Sequence, residues 1–269
     1  TDVGKIEQTI IKTAARQHQS SINFSHIRGK PKNEQITMKK AALVVAGIFF
    51  ALTVAAQETK AVIAGNGKII KEKREISGFN KLFVSGPFMV CLTSGNNNIT
   101  LEGDANVLEH ITTTVENGTL SINTLDNKPV KASIGNTIRV KVPCELLTEI
   151  SLKGCGTISA NRLIASGILS LKVDGPGKIE LRLSADEVYS KILGSGTIAL
   201  KGKVKKPDCR VVGSGIVNAY DLESSDTTAL ISGSGNINIK SSISLTGRIV
   251  GTGNIGFAGT PQKTDLRHL

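Results

Sequence analysis

The chain has 269 residues, enough for one large or two small domains. Hydrophobic residues make up 39% of it, which suits a folded protein, but aromatics are only 3%, Trp is absent and Gly reaches 28 residues. That mix argues against a bulky aromatic core and for thin, regular layers of strands. The formal charge of +11 points to nucleic acid only if it belongs to the folded part.

Residues 1–37 are polar and precede Met38. They are read as an upstream extension, translated ahead of the true start and expected to be disordered. Met38-Lys39-Lys40, followed by the uncharged run 41–56, has the form of a secretory signal. The run falls short of the roughly 20 residues that a spanning helix needs. Val54-Ala55-Ala56 offers small side chains to a signal peptidase, so cleavage is expected between Ala56 and Gln57. No Cys stands there for a lipid anchor. Without residues 1–56, eight basic and three acidic side chains are gone, and 25 against 19 leaves a net charge of +6. The only cluster is Lys201, Lys203, Lys205 and Lys206, read as a solvated turn. Nucleic acid is therefore not an expected partner.

Residues 57–75 are read as an N-terminal linker. In 76–149, strands are expected at 79–84 and 88–93, broken at Ser85-Gly86-Pro87, and at 99–102. One helical turn is expected within 105–110. Segments 111–115 and 120–122 flank Glu116-Asn117-Gly118-Thr119, whose Asn-Gly signals a hairpin. Another strand is expected at 138–142. Together these form an irregular lead-in that caps the array behind it.

From residue 150 to 258 one motif recurs. It appears as Gly154-Cys155-Gly156, Gly175-Pro176-Gly177, Gly194-Ser195-Gly196, Gly213-Ser214-Gly215, Gly233-Ser234-Gly235 and Gly251-Thr252-Gly253, at spacings of 21, 19, 19, 20 and 18 residues. A period near 20 means an array. Alternating β-branched segments lie on both sides, such as Leu171-Lys172-Val173 before a turn and Ile198-Ala199-Leu200 after one. The fold class expected is all-β: a parallel β-helix-like solenoid with coils of about 20 residues, weighed against a sandwich of antiparallel hairpins. The glycines serve as structural turn residues, placed where φ is positive or coils approach closely. Residues 259–269 are read as a C-terminal tail.

Catalytic chemistry is sparse. Gly251-Thr252-Gly253-Asn254-Ile255-Gly256 spells a dinucleotide fingerprint, but it is the sixth repeat and lacks the following helix and acidic residue. Ser195, Ser214 and Ser234 occupy equivalent turn positions. After cleavage only His110 and His268 remain. The carboxylates of the array, among them Asp174, Glu180, Asp208 and Asp226, do not recur at the repeat period, and only Tyr189, Tyr220 and Phe257 offer aromatic platforms. No catalytic, cofactor or metal residues are assigned. Cys91, Cys144, Cys155 and Cys209 form two disulfides or fill small buried slots; the sequence leaves both open.

Gly78-Phe79-Asn80-Lys81-Leu82, the Asn117-Gly118-Thr119-Leu120 turn and Gly-Ser-Gly-x-Ile repeats such as Gly233-Ser234-Gly235-Asn236-Ile237 resemble the head GIN domain family of autotransporter-type adhesins, common in Bacteroidota. The resemblance runs from residue 76 to 257. It implies a signal peptide and a right-handed β-helix, with no demonstrated activity. Members often carry an acidic residue after the second glycine, whereas this chain has Thr157, Lys178, Thr197, Ile216, Asn236 and Asn254. The expected function is an exported, non-enzymatic binding or adhesion scaffold of the periplasm or cell surface, with an envelope or extracellular protein or glycan as ligand. Its binding surface would be a strand face bearing outward Thr, Asn, Ser and Lys. The alternatives are a structural or envelope-stress protein and a β-helix carbohydrate-active enzyme.

Overall fold

A computed structural model describes residues 61–95 and 98–269. The upstream extension (1–37), the signal (38–56) and its cleavage point at Ala56 and Gln57 lie outside the described residues. The lead-in comprises β1 (Ile63–Ala64), β2 (Ile69–Glu75), β3 (Lys81–Ser85), β4 (Phe88–Thr93), β5 (Asn98–Asp104), a one-turn helix α1 (Ala105–Leu108), β6 (Ile111–Glu116), β7 (Thr119–Thr124), β8 (Val130–Lys131) and β9 (Ile138–Pro143). The array follows with β10 (Glu149–Lys153), β11 (Thr157–Asp174), β12 (Lys178–Gly194), β13 (Thr197–Gly213), β14 (Ile216–Ala219) and β15 (Leu222–Ser224). It ends with β16 (Asp226–Gly233), β17 (Asn236–Lys240), β18 (Ser244–Gly251), β19 (Asn254–Ala258) and β20 (Lys263–His268).

The array is a β-solenoid of parallel coils. Lys178 lies beside Thr197, Thr197 beside Ile216, Ile216 beside Asn236 and Asn236 beside Asn254, so each rung advances 18–20 residues. The long strands β11, β12 and β13 run through the other corners, with one register shift in β11 between Ser159 and Leu163, and the sharp turn of each coil is the Gly-x-Gly. Alternation sends every second residue inward. Val84, Leu152, Val173, Ile192, Val211 and Ile231 form one buried column before the turn. Val140, Val90, Ile158, Ile179, Ile198, Val217 and Ile237 form another after it. Burying each such side chain contributes about 1.5–3 kcal/mol, and β-branched residues stacked on their own kind fill a thin core without aromatics.

The lead-in belongs to the same stack, but its order in space is not its order in sequence. β3 and β4, joined at Gly86, form a coil that has β10 and β11 on one side and β7 and β9 on the other, all parallel. The chain thus builds one coil, then the coil beneath it, then crosses back over residues 144–148 to begin the array. Arg162 fastens that crossing by donating to the carbonyls of Cys144 and Glu145. Beyond β7 and β9 the pairing turns antiparallel. β6 closes on β7 through the Asn117-Gly118 turn, where both residues take positive φ, and β5 lies antiparallel to β9 and β2. Val107 and Leu108 of α1 plug this end.

Two boundaries differ from expectation. From Ile63 onward the stretch read as a linker is structured, as β1 and β2. The reason is Asp104: its buried carboxylate accepts hydrogen bonds from the backbone N–H of Gly67 (2.7 Å) and Ser133 (3.0 Å), pinning the 65–68 loop to the cap. Arg74 of β2 adds bonds to the carbonyls of Leu108 and Ile111. The stretch read as a tail contributes β20, which continues the parallel ladder on β18. In addition, Lys201, Lys203, Lys205 and Lys206 lie within β13, not in a turn.

The two glycines of the motif do different work. Gly213 has φ +116, a region closed to most L side chains. Gly215 is buried, and a Cβ there would sit 2.6 Å from Ile192 Cγ2 and 2.9 Å from the Gly196 carbonyl oxygen of the coil below. The same glycine-on-carbonyl approach repeats at Gly156, Gly177, Gly196, Gly235 and Gly253, and at Gly156 the carbonyl is that of Gly86. Gly215→Ala is expected to cost about 2 kcal/mol or more through overpacking, whereas Ser214→Ala at the exposed turn tip stays within about 0.5 kcal/mol. Urea melts of the two variants check this.

Asp104 gives the cap a pH dependence. Burial pushes its pKa up, but the hydrogen bonds from Ser133 and Gly67 outweigh it and hold the carboxyl below its ordinary value. The stabilisation is present above the unfolded pKa of about 3.9 and is lost as pH falls through the lower folded value. Asp104→Asn is expected to destabilise by on the order of 2 kcal/mol at pH 7. The gap from wild type should narrow below about pH 4; an equal gap at pH 3 and pH 7 in denaturant titrations would contradict this account.

Candidate functional site: the face before the turn

Because coils stack in register, outward residues also form columns. On the face that leads into the Gly-x-Gly turn, Lys172 lies beside Lys191, Lys191 beside Arg210, Arg210 beside Leu230, Leu230 beside Arg248 and Arg248 beside Arg267. Five of these six successive coils carry a cation at the same position. Lys191, Arg210, Arg248 and Arg267 are exposed; Lys172 and Leu230 are half-buried. Two residues earlier on the same face runs a second column: Ser170, Tyr189, Asp208, Thr228, Thr246 and Asp265.

The two columns interlock at some coils and not at others. Asp208 accepts both guanidinium arms of Arg210, at 2.9 and 2.8 Å, raising the pKa of the arginine. Asp265 accepts from Arg267 at 2.9 Å, and its own pKa is lowered by that bond. Lys172 and Lys191 have no ion pair among the described residues. The Tyr189 hydroxyl donates to Glu187 at 2.7 Å, which raises the phenol pKa. Ser170, Lys172, Tyr189, Lys191, Asp208 and Arg210 border a shallow cleft of about 300 Å³. Tyr189 and Asp208 also border a neighbouring cleft of about 220 Å³ that continues toward Thr228 and Thr246.

Other faces are built differently. Past the turn, Thr157, Lys178, Thr197, Ile216, Asn236 and Asn254 form a largely uncharged column. On the remaining side, opposite charges meet: Lys201 with Asp221 (3.3 Å) and Lys205 with Asp186 (2.6 Å), while Lys206 pairs with Glu187 (3.8 Å) at the border of the second cleft. The basic cluster most visible along the sequence is thus largely neutralised, and the cation column escapes a linear reading because its members stand 18–20 residues apart. The signal lay in the repeats themselves: each member up to Arg248 falls three residues before the first glycine of its motif.

The repeat glycines lie at the edge of this face and bring no chemical groups together. Among the described residues no three His, Cys, Asp or Glu side chains gather in a metal-binding arrangement. The cysteines are four free thiols. Cys209 is buried in a column of small side chains, Ser190, Cys209, Ala229 and Gly247, that follows Leu171 along the stack. Burial pushes its thiol up to about 11. Burial also raises Cys144, opposed in part by Arg162. Cys155 is exposed at a turn tip.

A family model described as "putative auto-transporter adhesin, head GIN domain" matches residues 78–261. The chain belongs to the head GIN domain family. No curated protein is similar to it. Among solved structures, a "putative adhesin" from Bacteroides fragilis is 21% identical with a TM-score of 0.71, over 77% of this chain and 95% of that one. A "putative lipid binding protein" from Parabacteroides distasonis is 21% identical with a TM-score of 0.65, over 77% and 97%. A "putative adhesin" from Parabacteroides merdae is 22% identical with a TM-score of 0.62, over 77% and 95%. At these identities the likeness is one of fold, and it extends over nearly the whole of each relative. The head GIN match begins at Gly78, after β2, so the pinned strand that closes the cap lies ahead of it.

With four free thiols, native protein treated with a bulky maleimide is expected to label first at Cys155, with Cys209 last. Unfolding without reductant should expose four reactive thiols; a count of two or none by mass spectrometry would establish disulfides instead.

Proposed function

We propose that this head GIN protein is an exported, non-enzymatic binding module of the adhesion type, working in the periplasm or at the cell surface. The observation that supports it best is the solenoid's outward face, where rows of polar side chains are held in register by a rigid ladder and neighbouring clefts merge along the stack. The family description and the adhesin designations of two structural relatives point the same way. Glycoside cleavage needs carboxylates that converge on one bond. Here Asp208 and Asp265 are engaged by arginines, and Glu187 by Tyr189 and Lys206.

The test combines location and binding. Expressed from its own gene in a Bacteroidota host, the protein is expected in the envelope or medium with Gln57 at its N-terminus; recovery from the cytosol with residues 1–56 intact would refute export. Purified protein is expected to bind immobilised envelope or extracellular polymer saturably and to release no product from a polysaccharide panel. Product release abolished by a single carboxylate substitution would reverse the reading in favour of an enzyme.

A further inference from the structure

We infer that the cation column Lys172–Lys191–Arg210–Arg248–Arg267 is the binding track for a linear acidic polysaccharide, laid along the solenoid axis with its carboxylates on the cations, foremost the unpaired Lys172 and Lys191, and its hydroxyls on Ser170, Tyr189, Thr228 and Thr246 of the adjoining column, whose Asp208 and Asp265 hold Arg210 and Arg267. The inference rests on the binding-module reading above and names the ligand class and the face.

Three observations carry it. First, like charges directly opposite one another on neighbouring strands are destabilising. Lys172 and Lys191 nonetheless stack on one another with no ion pair among the described residues, followed by Arg210 with its Asp208 partner, while one column over, the same coils pair Glu187 with Lys206. A solvated face has no use for that repulsion; a polyanion relieves it. Second, the spacing fits. Coils stack about 4.8 Å apart, close to the rise of one sugar in an extended glycan, and the two columns lie about 6.6 Å apart along each strand, the scale of a sugar ring. Third, four of the six residues in the adjoining column, Ser170, Tyr189, Thr228 and Thr246, offer hydroxyls, while Asp208 and Asp265 are taken up by Arg210 and Arg267; the Tyr189 ring, 46% exposed, stands beside Lys191 where a sugar face can rest. Single-stranded nucleic acid is bound on successive aromatic platforms, and this face has one ring.

The probes are size-graded oligogalacturonates and polygalacturonate, with a neutral glucan, duplex DNA and phosphatidylglycerol vesicles as comparators, titrated into the full-length protein at low salt. Binding is expected to tighten with oligomer length over at least three sugars and to weaken with added salt. The variant K172Q/K191Q/R210Q should lose roughly tenfold in affinity, whereas K201Q/K205Q on the paired side should lose almost nothing. Leu230→Lys fills the gap in the column and should tighten binding of the longer oligomers; because it adds a contact, it keeps the test independent of any folding defect in the triple variant. No binding of polygalacturonate, an unchanged affinity in both column variants, or equal affinity for DNA or vesicles would overturn the inference. If envelope polymer is still retained while the column variants are indifferent, the column assignment fails and the binding-module reading stands; if neither polygalacturonate nor any envelope polymer is held, both fail.

Discussion

The close approach of one coil to the next at the second glycine of each turn sets the register of the whole solenoid. Parallel strands at the inter-strand distance leave no room at that corner for a side chain, because the carbonyl oxygen of the coil below lies where a Cβ would be. Once the corner is fixed, paired residues of the array lie 18–21 positions apart, and inward and outward columns follow from the alternation of the strand. The aromatic-poor composition has the same cause. Each inner position must match the volume above and below it, and β-branched aliphatics stack without opening voids or forcing backbones apart. One inner column carries small side chains over four successive coils, Ser190, Cys209, Ala229 and Gly247, between Leu171 and Leu266.

A parallel stack has no natural end, since its terminal coil presents unpaired backbone and apolar columns. Here the N-terminal end is closed by a change of pairing. The antiparallel strands β5 and β6 cover β9 and β7, α1 inserts Val107 and Leu108, and Asp104 ties the 65–68 loop across the cap. A single buried carboxylate can hold that much backbone because charged acceptors make stronger hydrogen bonds than neutral ones. The interleaving of β3 and β4 between later segments follows from the same need: the coil laid down first is protected on both sides before the array begins.

What the sequence revealed divides along these physical lines. The period, the turns, the Asn117-Gly118 hairpin and the short helix at Ala105 were all legible, because each depends on residues close in the chain. The spatial order of the lead-in was not, because β10 pairs with β3 across 68 residues and nothing local encodes that choice. β2 was also hidden: Lys71-Glu72-Lys73-Arg74-Glu75 has the look of a solvated linker, and only its antiparallel pairing with β5, with Arg74 bonded to carbonyls of α1 and β6, makes it a strand. On the outward face, the charge of the Lys201–Lys206 segment was visible but misplaced, since proximity in sequence is no guide to which charges remain unpaired. The cation column became visible only when residues at a fixed offset from the glycines were set side by side.

A repeat that aligns its core aligns its surface as well. In an ordinary domain one lysine is one charge at one place. In a solenoid the same choice, made once per coil, becomes a line of charge with the period of the backbone ladder. Single exposed ion pairs contribute little, but contacts repeated along a common ligand act at high effective concentration and combine. Affinity then depends on the length of ligand engaged, and the interruption at Leu230 divides the line into a run of three cations and a run of two. Weak contacts that gain strength by repetition suit attachment to an extended polymer better than capture of a small molecule, which would touch one or two coils at most. The glycines that fix the register contribute no outward group of their own, yet they set the spacing at which all the others are presented.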